Sequence, residues 1–168
     1  MGMQYDVKAG HLNNSGFVVL GRNRLKAVSM VGTASAGTLD IFDTTTAPVA
    51  ATYARSGTTI TVTKTAHGLA TGTVLGLTFA TASGSSGTNG NYTITVASSS
   101  TFTVTDINSG TIAGGTMAAY ASLWLVSYDI GTGDYFGNYA LIPGEGILVR
   151  NGIYLSMSNI LSASIYYG

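Results

Sequence analysis

Apolar and polar side chains alternate along almost the whole chain, and no stretch sustains the 3.6-residue period of a helix. The runs Arg24–Val31, Thr59–Thr63, Asn91–Val96 and Thr101–Thr105 all obey this rule. Period two with β-branched enrichment specifies strands that bury one face. Gly, Asn and Ser clusters separate the runs, at Asn14–Gly16, Ser35–Gly37, Asn89–Gly90, Gly131–Gly133 and Asn151–Gly152. Asn-Gly is the dipeptide of the tight type I′ hairpin, so Asn89–Gly90 and Asn151–Gly152 are expected turns. Many short strands at regular spacing predict an all-β chain, an antiparallel β-sandwich of jelly-roll-like character.

Composition divides the chain. Only 8% of the 168 residues are charged, against roughly 25% in an ordinary domain. Between Ser56 and Ala118 the only charges are Lys64 and Asp106, and 35 of those 63 positions are Ser, Thr or Gly. The flanking 105 residues hold the other twelve charges and Trp124. About nine strands can be drawn from the two flanks together, enough for two packed sheets. The expected organisation is therefore an outer sandwich from residues 1–55 and 119–168. Residues 56–118 form a small β-barrel-like insertion in one of its loops.

The low charge narrows function. Seven basic and seven acidic residues cancel, which removes any global attraction to nucleic acid or to anionic membrane. No apolar run is long enough for a membrane helix, and the N-terminus has neither a signal-peptide core nor a myristoylation pattern. There is no cysteine, hence no disulfide, thiolate metal site or cysteine nucleophile. A surface this poor in charge is expected to be covered by neighbours, in a homo-oligomer or a larger assembly.

Candidate chemistry is thin. His67 has no convergent set of donors and, with Gly68, is expected to shape a turn. His11 stands beside Asn13 and Asn14 without a better constellation. No Gly-x-Ser-x-Gly elbow nominates a nucleophile. Glu145, the sole glutamate, lies in a Pro-Gly-Glu-Gly turn, and Asp40, Asp43, Asp129 and Asp134 are expected as solvent-facing carboxylates rather than a glycosidase pair. Asp129–Asp134 resembles a calcium loop only faintly, with two carboxylates where six to eight oxygens are needed. The expectation is no enzyme, no cofactor and no metal. Two features point to contact instead. Arg22, Arg24 and Lys26 alternate along one strand and its lead-in, the largest charge cluster in the chain, suited to an acidic partner surface or to blunting an edge. Tyr128, Tyr135, Tyr139, Tyr154, Tyr166 and Tyr167 crowd the C-terminal third; tyrosine suits interfaces, and exposed rows of it also stack on sugar rings, so a glycan remains a possible ligand.

The segment Ile60–Leu77, with His67-Gly68-Leu69 and Gly72, followed by Asn89-Gly90 and the strand Thr101-Phe102-Thr103-Val104, resembles small β modules repeated in tailed-bacteriophage virion proteins. Thr73 departs from the aspartate usual in that module. Related small barrels are similar to one domain of ubiquitin-activating enzymes, so the resemblance implies a platform or spacer and no activity. The flanks resemble phage structural sandwiches more loosely, through Ile41-Phe42-Asp43, the turn Pro143 to Ile147, the strand Asn151 to Tyr154 and the Tyr-rich end. Together the resemblances imply a virion protein, assembled in the host cytoplasm. It would be a head decoration or cement protein or a tail or neck component, binding itself (a trimer being the expected example) and the major capsid protein or other virion proteins.

Overall fold

The computed structural model describes residues 7–80, 85–133, 135 and 137–168. It is all-β. In chain order the strands are β1 Lys8–Leu12, β2 Gly16–Leu20, β3 Asn23–Gly32, β4 Gly37–Asp43, β5 Val49–Thr63, β6 Val74–Phe79 and β7 Gly90–Thr93. There follow β8 Thr95–Ser98, β9 Thr101–Ala121, β10 Leu123–Ile130, β11 Gly137–Leu141, β12 Ile147–Val149, β13 Gly152–Ser158 and β14 Ile160–Tyr167.

The chain divides into two compact units. One comprises residues 1–47 and 125–168, the other Pro48–Trp124. The second unit is thus wider at both ends than the 56–118 expected from composition. The Ser/Thr/Gly bias begins at Ser56, but the β5–β9 ladder runs without a break in strand identity from Val49 opposite Tyr120 to Thr63 opposite Thr101. Backbone hydrogen bonding sets the boundary, and it ignores where charge becomes scarce.

In the outer unit one sheet has the order β1-β14-β3-β11, with β12 also on β3, and the other has the order β10-β4-β13-β2. β11 pairs with Ala27–Val31 and β12 with Asn23–Leu25 of the same strand. They are two halves of one strand, interrupted by the loop through Pro143, Gly144, Glu145 and Gly146. Counting them as one, the eight outer strands read 1-8-3-6 in one sheet and 5-4-7-2 in the other, the strand order of a jelly roll. Period-two alternation, reset in β3 by a register shift beside Lys26, supplies the core between the sheets. Leu25, Val28, Ala163 and Ile165 from the first sheet meet Leu39, Ile41, Ile153 and Leu155 from the second, all buried.

The inserted unit has the sheet order β5-β9-β6-β7, with β8 also on β9. Among the described residues the ladder does not close, so it is a curled open sheet rather than a barrel. The curl is severe. Phe102 and Tyr120 lie on the same strand, and in a straight strand their separation would be about 60 Å. Their ring centroids are 5.7 Å apart. β9 therefore doubles back, and the bend falls where Gly57 opposite Gly110 gives way to Thr59 opposite Thr105. There Asp106–Ser109 bulge out against the single residue Thr58. Gly57 takes φ +62°, a conformation that costs glycine little and strains other residues.

A buried ion pair holds the bend. Arg55 and Asp106 meet at 3.1 Å with fully buried side chains. Arg55 also donates to the carbonyls of Gly57 at 3.1 Å, Ser85 at 3.0 Å, Ser86 and Asn108. Asp106 accepts from the N–H groups of Thr88 at 2.9 Å and Asn108 at 3.3 Å. Burial alone would raise the Asp106 pKa, but these N–H groups and Arg55 hold it below its ordinary 3.8. Tyr92, whose hydroxyl donates to the Thr88 carbonyl at 2.5 Å, is pushed up to about 12 by burial and by the Asp106 charge. Of the two charges counted in this segment, one is an interior strut.

Candidate interaction surface

The two faces of the β1-β14-β3-β11 sheet follow from register. Val28 and Ile165, opposite one another, point into the core. The next rows along the strands point outward. One outward row is Tyr139, Ser29, Ser164 and His11; another is Leu141, Ala27, Tyr166 and Ala9. Two contacts agree with this assignment. The Tyr139 and Tyr166 rings meet edge to face at 6.1 Å, and His11 Nδ1 lies 2.8 Å from Ser164 Oγ. Neither row contains a charge. Tyr139 is 62% exposed and Leu141 68%, large apolar groups that nothing in the unit covers.

The basic cluster adjoins these rows. Arg22, Arg24 and Lys26 line a cavity of about 410 Å³ with Asn23, Glu145, Leu148 and Gly168, which brings the three cations of the sequence cluster together. Arg24 and Leu148 are cross-strand partners. The strand-breaking loop lifts Glu145 over the sheet, where its carboxylate accepts from Arg24 at 2.9 Å. Gly144 and Gly146 make that excursion with positive φ, 68° and 81°. At Gly146 a Cβ would also stand 2.3 Å from the Leu25 carbonyl oxygen. Glycine there is a requirement of both conformation and space.

The other contact candidates separate. Tyr166 lies on the outward row, whereas Tyr167 is half-buried and packs on the core cluster. Burial raises the pKa of Tyr128, another tyrosine packed on that cluster. Tyr135 is exposed. Tyr154 stacks edge to face on Phe17 at 4.9 Å.

The residues assigned to turns divide in the same way. His67 accepts from the Leu69 N–H through Nδ1 at 3.0 Å, which leaves the ring proton on Nε2, 2.9 Å from the Ser98 carbonyl it donates to. Gly68 takes φ +65°. Asn89–Gly90 and Asn151–Gly152, however, are not type I′ turns, because none of the four is in the positive-φ region. Gly90 opens β7 and Gly152 opens β13. The Asn89 side chain instead accepts from the Phe79 N–H at 2.9 Å, and the backbone N–H groups of Asn151 and Gly152 are donated to Asp43.

The carboxylates correct another expectation. Asp43 is 1% exposed and accepts from Arg150 N at 2.9 Å, Asn151 N at 2.7 Å and Gly152 N at 3.2 Å. It is a structural anchor for the β12–β13 connection, not a solvent-facing group. Asp40 is also buried. Asp129 accepts from Thr38 Oγ1 at 3.2 Å, and Asp134, the other half of the calcium-like loop, lies outside the described residues. Among the described residues no three acidic or histidine side chains gather as a metal site would require.

Sequence reasoning missed Leu141 and Glu145 as members of this surface, and Arg55 as the partner of Asp106. Period two marks Leu141 as facing the same way as Tyr139, but only the register across β3 sets it beside Ala27 and Tyr166. Comparison with protein-family models, with curated proteins and with solved structures found no match to the chain.

Proposed function

We propose that this chain is a non-enzymatic structural protein of a bacteriophage virion, decorating or cementing the capsid through contacts with sister copies and with capsid subunits. The observation that carries the reading is the outward face of the β1-β14-β3-β11 sheet, a large uncharged field bearing exposed Tyr139 and Leu141 with cations at its margin. Exposed apolar patches rimmed by polar groups mark interaction sites. The jelly-roll order of the outer unit and the module-like sequence of the inserted one suit a rigid building block. Two of its described acids are spent on structure: Asp43 on three backbone N–H groups, Asp106 on Arg55 and two more. Many weak copies bridging neighbouring subunits would stiffen a shell through avidity.

Gold-labelled antibody against the chain, applied to particles of the tailed phage that encodes it, tests the reading. Regular labelling of the head is the expected result. Labelling confined to the tail or neck would move the role to that part of the virion. Particles without the chain would overturn the proposal.

A further inference from the structure

Resting on the reading that this sheet face is a contact surface, we infer that it docks on an acidic surface of a different protein, not on a second copy of this chain. Arg22 and Lys26 would take that partner's carboxylates, while Tyr139, Leu141 and Tyr166 cover its apolar neighbours. The argument is one of charge complementarity. Arg24 is already held by Glu145 at 2.9 Å. Among the described residues neither Arg22 nor Lys26 has a carboxylate within ion-pair distance, although both line the same cavity. They are the free cations of the cluster.

A second copy has few unspent acids to offer from its described residues. Asp43 and Asp106 are buried and hydrogen-bonded, Asp40 is 8% exposed, and Glu145 faces Arg24. Two described acids remain at the surface: Asp129, bonded to Thr38, and Glu145, whose side chain is 81% exposed but is already paired with Arg24. Among the described residues the surface is thus poor in unpaired acids, and a like-charged face repels its own copy. A nucleic acid fits poorly as well. Two free cations next to an exposed carboxylate neutralise few phosphates, and the neighbouring rows are uncharged and carry tyrosine and leucine, with no cation track for a backbone to follow. Carboxylates set among apolar side chains, as on an acidic protein surface, match both halves of the face.

The test uses the full chain with three probes: a random copolymer of glutamate and tyrosine, a short DNA duplex matched in total charge, and the chain itself in a sedimentation experiment. The copolymer should bind, more weakly as salt shortens the screening length. Combined Arg22→Glu and Lys26→Glu should weaken that binding by about tenfold or more, with the far-ultraviolet spectrum unchanged because both side chains lie at the surface. Leu141→Ser should weaken it without altering the salt dependence. DNA binding as tight as copolymer binding would overturn the inference, as would copolymer binding indifferent to the charge reversal. Self-association abolished by Leu141→Ser would overturn it too, since the occupant would then be a second copy. The virion reading fails separately. If the charge-reversed chain occupies phage particles as fully as the wild type, this face is misassigned and the virion role stands. Copolymer binding by a chain that no particle takes up would leave the acidic-partner inference supported and the virion role lost.

Discussion

The two units solve the same problem, a buried carboxylate, by different means. In the outer unit Asp43 is buried without a counter-ion among the described residues and is satisfied by three backbone N–H groups from one connection. In the inserted unit Asp106 is buried against Arg55, and the pair collects carbonyls and N–H groups from the segments around Gly57, Ser85–Thr88 and Asn108. The difference follows from architecture. Two facing sheets make a core by stacking, and their carboxylate has only a local turn to fix. One sheet bent on itself needs something at the bend, and a guanidinium with five donors can reach several strands at once. Scarce charge is therefore not simply a surface property here, because part of it is built into the interior.

Breaking the strut should have the largest effect. Arg55→Met leaves Asp106 buried and unpaired, and should cost about 3–5 kcal/mol. Hydrogen exchange should place the loss in β5, β6 and β9, with β3 and β14 still protected. The same site sets an acid limit. Because the folded pKa of Asp106 lies below its ordinary 3.8, its contribution is complete above that value. It is lost as pH falls through the folded value, so the melting temperature of the inserted unit should drop below about pH 4. Asp106→Asn should flatten that slope.

Asp43→Ala should come next, at about 2–3 kcal/mol, since it takes the acceptor from three N–H donors, of which that of Gly152 is buried. Its signature is the reverse pattern, faster exchange at residues 150–152 with the inserted unit unaffected. Equal loss in both units from either substitution would refute the division of labour. His67→Ala should cost only about 1–2 kcal/mol, from two hydrogen bonds in an exposed turn. At the alkaline end, Tyr92 has a raised pKa, so its contribution is full below 10 and fades as pH rises through about 12. An absorbance titration should show a late phenolate step that Tyr92→Phe removes.

Much of the outer architecture was legible in the sequence, because period two encodes which residues face a core whatever the partner strand. The sandwich class comes from that rule, although it does not foresee the register shift beside Lys26. What register decides was hidden. The contact of Tyr139 with Tyr166 and the pairing of Arg55 with Asp106 join segments far apart in the chain, and no local pattern announces them. The Asn-Gly dipeptides misled for a related reason. Their turn signal is a backbone preference, but at Asn89 the side-chain amide caps Phe79, and at Asn151–Gly152 a distant carboxylate takes the N–H groups. A buried carboxylate is equally invisible, since Asp43 and Asp129 look alike as letters and differ in what surrounds them.

Hydroxyl-radical footprinting of the chain, free and on intact particles, tests the central claim most directly. The account predicts that Tyr139, Leu141 and Tyr166 react readily in the free chain and are protected together on the particle, while exposed Ile107 of the inserted unit keeps its reactivity. Equal modification of the three residues in both states would contradict it.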